Sequence, residues 1–98
     1  MSTYYLILAR ITDTNLFTQY MKGHLPTIAQ YGGQLVFRSI QNTPVLGTEN
    51  WDAIAIQKWP DEAAFVKWWQ SDKYRPWAEI RDQAARILII CCQDAVLL

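Results

Sequence analysis

The segment YYLILARI, residues 4–11, is apolar almost without interruption over the length of a β-strand. A strand with both faces buried shows this pattern, whereas a strand with one face in water alternates apolar and polar residues. A second run of this kind, ILIICC at residues 87–92, lies near the other end of the chain, and we expect it to be central in the sheet. The chain must therefore form a sheet that is covered on both faces.

Two further strands are predicted between these runs, at residues 34–40 (QLVFRSI) and 51–59 (WDAIAIQKW). The turn-rich stretch that separates them is typical of a hairpin connection. Helical segments follow the first and third strands, which gives the order β-α-β-β-α-β with a small extra helix. This order is that of the ferredoxin-like fold, an α+β arrangement with a four-stranded antiparallel sheet and both helices on one face.

The second face of such a sheet has no cover within a single domain of residues 1–98. Half of the residues are hydrophobic (51%), and five are tryptophan, which is a heavy apolar load for a chain of this length. A second copy of the same sheet is the simplest cover for an apolar sheet face. We therefore expect a homodimer that forms through the sheet faces.

Charge, leader and cysteine patterns exclude several classes of protein. The chain has nine basic and nine acidic residues with no run of either sign, so no electrostatic argument favours nucleic acid or an anionic membrane. The N-terminus does not resemble a signal peptide and no segment reaches membrane-spanning length, so a cytoplasmic location is expected.

Cys91 and Cys92 are expected to be buried thiols. With a single histidine they do not form a metal-ligand set, and no phosphate-binding loop or other cofactor motif is present.

The predicted helices have recognisable ends. Asp13 or Thr14 is expected to cap the first helix, Asp61 the second, and Pro76 to begin the third. The apolar stripe of the first helix has His24 near its centre and contains Leu16, Phe17, Tyr20, Met21, Leu25 and Ile28. Pro26 is expected to kink this helix around residues 23–25, and the pair Gly32-Gly33 to supply a left-handed stop.

His24 is the first candidate catalytic residue, because it is the only histidine and lies on the inward side of its helix. It can serve as a general base or as a donor that orients a ligand in the cleft between helix and sheet. Alternatively, it caps carbonyls freed by Pro26 or lies at a helix edge bonded to water. No carboxylate is near it in sequence, and Asp52 and Glu49 are the nearest candidates to orient it through the fold.

Arg38 is the second candidate catalytic residue, because it interrupts an apolar strand in alternation with Val36 and Ile40. An arginine in this place must be paired, exposed at a strand end, or directed into a polar cavity. In a cavity it would hold a carboxylate or an enolate of a small ligand. The alternative is an ion pair between two subunits.

Aromatic residues are the candidates for ligand contact. Tyr20 and Tyr31 flank His24 on the helical wheel, and Trp59 and Trp68 could contribute to an aromatic pocket for a planar ligand. Packing in the core or across a dimer interface is the alternative for each of them.

The segments IAQYGGQLVFR (28–38), WWQSDKYRPW (68–77) and IRDQAAR (80–86) follow Tyr20 in one order and spacing, with Trp-Pro at residues 59–60. This combination resembles the bacterial family called domain of unknown function 1330, within the dimeric α+β barrel superfamily. Tyr74 and Arg81 match family positions and are expected to fix the short third helix to the sheet, and Tyr74 is also a candidate ligand contact. The family typically has Arg-Gly-Gly where this chain has Arg38-Ser39-Ile40.

The resemblance implies a ferredoxin-like protomer that pairs sheet to sheet into a dimeric barrel. The wider superfamily includes cofactor-free monooxygenases, lactone isomerases, haem-handling enzymes and ligand-binding regulators, so the fold leaves the function open. We expect a dimer that binds a small, largely apolar, aromatic or carbonyl-bearing metabolite. Any chemistry would be cofactor-free monooxygenation or isomerisation, in which His24 moves a proton and Arg38 stabilises an oxyanion. The alternative is a non-catalytic dimer in which both residues are structural.

Overall fold

The computed structural model describes residues 2–94. Four strands and three helices follow one another in the predicted order, which confirms the ferredoxin-like fold. The elements are β1 (Thr3–Ile11), α1 (Thr14–Gln30), β2 (Gln34–Ser39), β3 (Ala53–Trp59), α2 (Glu62–Trp69), α3 (Arg75–Ala84) and β4 (Ala85–Gln93).

The four strands form one sheet in the order β2-β3-β1-β4, and every neighbouring pair is antiparallel. The prediction that the last apolar strand is central is wrong, because β4 pairs with β1 alone and lies at the edge. Its side chains are nevertheless apolar on both faces. Ile87 and Ile89 lie on the helix side, and Leu88 and Ile90 lie on the opposite side. A continuous apolar run therefore indicates that both faces of a strand are apolar, and it does not indicate the position of the strand in the sheet.

Side-chain caps and glycines define the ends of the helices. Asp13 caps α1 by accepting from the amide of Leu16 at 3.0 Å, and Asp61 caps α2 in the same way. Helix α1 continues through Pro26 to Gln30 as a single helix.

The two glycines after α1 have different roles. Gly32 adopts the left-handed conformation (φ 94°) that the sequence predicts for a helix stop. Gly33 does not, so the prediction of a left-handed pair is wrong in this respect. A Cβ atom on Gly33 would lie 2.5 Å from the ring of Trp59 and 2.7 Å from Ile28 Cγ2, so glycine is required there for space.

The main core lies between the sheet and helices α1 and α2, and it is strongly aromatic. Tyr5 of β1 stacks on Phe65 of α2 with ring centroids 3.7 Å apart. The buried residues of this core are Tyr5, Tyr20, Ile28, Trp59, Phe65, Trp68 and Tyr74. Since they come from strands and from both helices, α1 and α2 pack on the same face of the sheet, as predicted.

The opposite sheet face is apolar and half exposed. Phe37, Leu88 and Ile90 are 50%, 46% and 41% exposed, and no helix of residues 2–94 packs on this face. The expectation that the chain leaves one apolar sheet face without internal cover is met in the described part of the molecule.

Cys91 and Cys92 are both exposed near the end of the edge strand β4, so the prediction of buried thiols is wrong. The prediction followed from their place in an apolar run, but an edge strand buries its side chains less completely than a central one. No helix within residues 2–94 is long and apolar enough to cross a membrane.

Candidate functional site

A cavity of about 390 Å³ lies between helix α1 and the helix-side face of the sheet. This volume is within the range of small-molecule sites, which is about 300–1,000 Å³. Most of the wall is apolar or aromatic, with contributions from Phe17, Leu25, Ile87 and Ile89, among others. His24 and Arg38, the two candidate catalytic residues, both line it.

His24 is buried in the wall with its ring orientation fixed by its own helix. Its Nδ1 lies 2.7 Å from the backbone carbonyl oxygen of Tyr20, one turn earlier in α1. Since a carbonyl oxygen can only accept, Nδ1 carries the proton in the neutral ring. Nε2 is then the unprotonated nitrogen of a residue that lines the cavity, and it can accept a hydrogen bond or a proton. The geometry favours an acceptor and not the ligand-orienting donor that was the other expectation.

Neither a carbonyl freed by Pro26 nor the carboxylates of Asp52 and Glu49 orient His24. The carbonyl that loses its helical partner to Pro26 is that of residue 22, whereas His24 bonds to the carbonyl of Tyr20. Asp52 accepts from the backbone amide of Ile11, and Glu49 pairs with Arg10. Neither carboxylate approaches the imidazole, so a backbone carbonyl takes the orienting role.

Burial lowers the pKa of His24 from 6.5 to about 4. The positive charge of Arg81 lowers this pKa further, and the hydrogen bond to the Tyr20 carbonyl opposes both effects. The imidazole is consequently neutral at physiological pH, with Nε2 as a weak base.

Aromatic rings surround His24. Tyr20 stacks on the imidazole with ring centroids 3.9 Å apart and planes inclined by 7°. Trp68 approaches it at 6.4 Å and donates its indole N–H to Thr27 Oγ1 at 2.8 Å. Thr27 in turn donates to the carbonyl of His24 at 2.6 Å, so a hydrogen-bonded chain holds Trp68 of α2 against α1.

A second hydrogen-bonded chain links the cavity to α3. The hydroxyls of Tyr20 and Tyr74 are 2.7 Å apart, and Arg81 Nη1 donates to the Tyr74 hydroxyl at 3.0 Å. Burial raises the pKa of both tyrosines, so they are protonated at neutral pH. Arg81 also stacks on Trp69, with its guanidinium 4.5 Å from the ring centroid. These contacts tie α3 to α1 and α2, whereas the expected attachment was to the sheet.

An irregularity in strand β2 determines the position of Arg38. The register shifts between Leu35 and Phe37, which leaves Val36 as the extra residue of a bulge. Leu35 and Arg38 therefore both lie on the cavity side, and Arg38 pairs with Ala55 across β3. Simple alternation from Leu35 would place Arg38 on the opposite face. The bulge thus brings Arg38 to the rim of the same cavity as His24.

Gln57 is a polar cavity residue that the sequence reasoning missed. It lies in β3, is 3% exposed, and lines the cavity. The indole N–H of Trp59 donates to Gln57 Oε1 at 3.0 Å, which leaves the amide N–H groups of Gln57 available to a ligand. Its signal in the sequence is its alternation with Ala53, Ala55 and Trp59, which places a glutamine on the buried side of the strand.

The structure brings together most of the predicted ligand contacts, but not all. Tyr20, Trp68 and Tyr74 line the cavity. Trp59 is fully buried in the core, and Tyr31 packs at the edge of that core, so neither is among the residues that line the cavity.

The family model for Domain of unknown function (DUF1330) matches residues 2–94. No curated protein matches the chain. Among solved structures, a protein of unknown function from Rhodopseudomonas palustris, RPA0582, is 21% identical with a TM-score of 0.88, over 98% of this chain and 84% of that one.

Two more distant structures share the fold. SnoaB from Streptomyces nogalater, a cofactor-independent oxygenase, is 12% identical with a TM-score of 0.69, over 99% of this chain and 96% of that one. A dimeric ferredoxin-like protein of unknown function from Thermobifida fusca is 16% identical with a TM-score of 0.64, over 94% of this chain and 90% of that one. At these identities the likeness extends to the fold alone.

Proposed function

This chain belongs to the family Domain of unknown function (DUF1330), and we propose that it binds a small, largely apolar molecule in the cavity between α1 and the sheet. The observation that supports this function most directly is the cavity itself, an aromatic-walled space in which the two buried polar side chains, His24 and Gln57, each have a defined hydrogen-bond partner. Small-molecule sites have this composition, because the apolar walls supply affinity and the few polar groups supply orientation.

The polar groups limit the kind of ligand. His24 Nε2 is an acceptor, and the amide of Gln57 is a donor, so the inner wall can satisfy one hydroxyl and one carbonyl group. The rings of Tyr20 and Trp68 favour a planar body between these groups. The proposed ligand is therefore an aromatic or carbonyl-bearing compound.

We further propose that the chain forms a homodimer through the face of the sheet that is opposite to the cavity. Its support is the apolar character of that face and the dimeric state of the Thermobifida fusca protein with the same fold. Because the cavity lies on the helix side, each protomer would retain a site of its own.

Binding of the neutral fluorophore N-phenyl-1-naphthylamine tests the proposed site. We expect saturable binding by the wild-type protein and its loss in Ala55→Phe, which places a ring in the cavity. Ala29→Phe is the matched control, because Ala29 is exposed and does not line the cavity. Equal binding by both variants would contradict the proposal and locate the fluorophore elsewhere on the protein.

Proton transfer is a second candidate function, supported by the hydrogen bond that leaves Nε2 as the unprotonated nitrogen of His24 and by the presence of His24 and Arg38 in the lining of one cavity. Removal of a proton from carbon beside a carbonyl group gives an enolate, whose oxyanion an arginine can stabilise. Isomerisation and cofactor-free oxygenation can both begin with this step, and SnoaB is an oxygenase of the cofactor-independent kind. Because the pKa of His24 is about 4, the base is weak, and the substrate must carry an acidic C–H group.

Hydrogen–deuterium exchange into 2-tetralone, followed by NMR, tests this second function. We expect the protein to accelerate exchange next to the carbonyl group by about tenfold or more, and His24→Gln to abolish the acceleration. Lys67→Gln, which changes an exposed residue outside the cavity, should retain it. Binding of 2-tetralone without accelerated exchange would leave a binding protein in which His24 has only an orienting role.

A further inference from the structure

The charged side chains that line the cavity are both positive. They are Lys22 of α1 and Arg38 of β2, and among residues 2–94 no aspartate or glutamate lines the cavity. The full chain has equal numbers of acidic and basic residues, so the cavity differs in charge from the molecule as a whole.

Neither cation is neutralised by a neighbour in the described part of the chain. The ion pairs found within residues 2–94 are Arg10–Glu49, Arg75–Asp72 and Arg81–Asp82, and none of them involves Lys22 or Arg38. Both of these side chains are exposed, which places them at the opening, whereas His24 and Gln57 are buried deeper in the wall. Their charges therefore remain available at the entrance.

The two cations reach this opening from different walls. Lys22 lies on α1, one turn after Thr18, which is also exposed and also lines the cavity. Arg38 reaches the cavity from the sheet only because of the bulge at residues 35–37. An anionic group at the opening would thus meet one cation from the helix and one from the sheet.

We infer that the ligand of this cavity is an amphiphilic acid, with an apolar, aromatic body inside and a single anionic group held at the opening by Lys22 and Arg38. This inference rests on the proposed binding function and adds the ligand's charge and its direction of entry. An arginine can offer two parallel N–H donors to a carboxylate, and hydrogen bonds between ionised partners are the stronger kind. The body would extend from the opening towards Trp68, where the wall has aromatic rings and no charge.

A pair of fluorophores that differ by one charge tests the inference. 1-Anilinonaphthalene-8-sulfonate carries a sulfonate that N-phenyl-1-naphthylamine lacks, and the ring systems are otherwise the same. We expect the sulfonate compound to bind the wild-type protein about tenfold more tightly at low ionic strength, and this preference to shrink as salt is added. Lys22→Gln and Arg38→Gln should each weaken its binding roughly threefold to tenfold while leaving the neutral compound unaffected.

The controls separate this inference from the proposed function. Lys67→Gln removes an exposed positive charge away from the cavity and should change neither affinity. Ala55→Phe should abolish binding of both compounds at the cavity. If both compounds bind equally, or if Lys22→Gln and Arg38→Gln leave the sulfonate compound unaffected, the anionic ligand is refuted and the cavity site stands. If neither compound binds, both proposals fail.

Discussion

The low pKa of His24 makes the stability of the protein depend on pH. The unfolded chain takes up a proton on this histidine near pH 6.5, and the folded protein does so only near pH 4. Between these values the unfolded state binds more protons, so the free energy of unfolding falls as the pH is lowered. From pH 7 to pH 5 we expect His24 to account for a loss of about 2 kcal/mol.

Urea denaturation of the wild-type protein and His24→Gln at both pH values measures this loss. Glutamine does not titrate, so the free energy of unfolding of the wild type should fall by about 2 kcal/mol relative to that of the variant on going from pH 7 to pH 5. A difference that is independent of pH would show that the imidazole titrates normally in the fold.

Tyr74 occupies the centre of a hydrogen-bonded chain, whereas Tyr20 lies at its end. Tyr74→Phe removes both hydrogen bonds and leaves Tyr20 and Arg81 without this partner, so we expect a loss of about 2–3 kcal/mol in stability. Tyr20→Phe removes one bond, and the Tyr74 hydroxyl keeps its donor, so the expected loss is about 1 kcal/mol. Thermal or urea unfolding compares the two. An equal loss would contradict the central role of Tyr74.

At the scale of single residues, the sequence predicts which residue types approach the cavity better than it predicts their partners. The apolar stripe of α1 places His24 on the inward side, where it is found. Its orienting group is a backbone carbonyl, which every residue has, so no pattern of side chains could indicate it. Gln57 was missed for a related reason, because its alternation with apolar residues indicates a buried side of the strand but does not indicate a cavity there.

Among the elements, strand β2 is the one whose side-chain directions could not be predicted from the sequence pattern. Alternation of side chains assumes one residue per step, and the bulge at residues 35–37 breaks this assumption. Arg38 therefore lies on the cavity face. Val36, which simple alternation would place on the same face as Arg38, is the extra residue of the bulge. This placement also removes Arg38 from the face that a sheet-to-sheet partner would cover, which disfavours the alternative of an ion pair between subunits.

The turn between α1 and β2 requires a residue without a side chain at position 33. In Gly33→Ala the new Cβ would overlap the Trp59 ring and Ile28, which are 1% and 2% exposed and have no room to move. We expect the free energy of unfolding to fall by about 2–3 kcal/mol. Gly47→Ala is the control, since Gly47 has φ 89° but nothing within 4 Å, and backbone strain alone should cost about 1 kcal/mol. Equal losses in denaturation experiments would contradict the packing argument.

For the whole molecule, the order of elements and the uncovered apolar sheet face could be predicted because both follow from the lengths and periods of apolar runs. The position of β4 at the edge could not, since its apolar character on both sides has two sources. One face of β4 lies on the helix side of the sheet, and the other face is part of the exposed apolar sheet face. Sequence alone does not distinguish this case from a central strand.

The proposed dimer predicts different effects for two apolar residues of similar exposure. Leu88 of β4 is 46% exposed on the open sheet face, and Val66 of α2 is 43% exposed. Leu88→Glu places a charge in the proposed interface and should convert the dimer to a monomer in sedimentation experiments. Val66→Glu should leave the dimer intact. A monomeric wild-type protein, or a dimer that only Val66→Glu dissociates, would contradict the sheet-to-sheet arrangement.

The proposed ligand binds in the cavity on the helix side of the sheet, and not on the apolar face on the other side. Isotope-edited nuclear Overhauser spectra of the protein with bound N-phenyl-1-naphthylamine distinguish these two places directly. We expect contacts from the fluorophore to the ring protons of His24 and Trp68 and to the methyl groups of Leu35. Contacts to Leu88 and Ile90 in their place would contradict it.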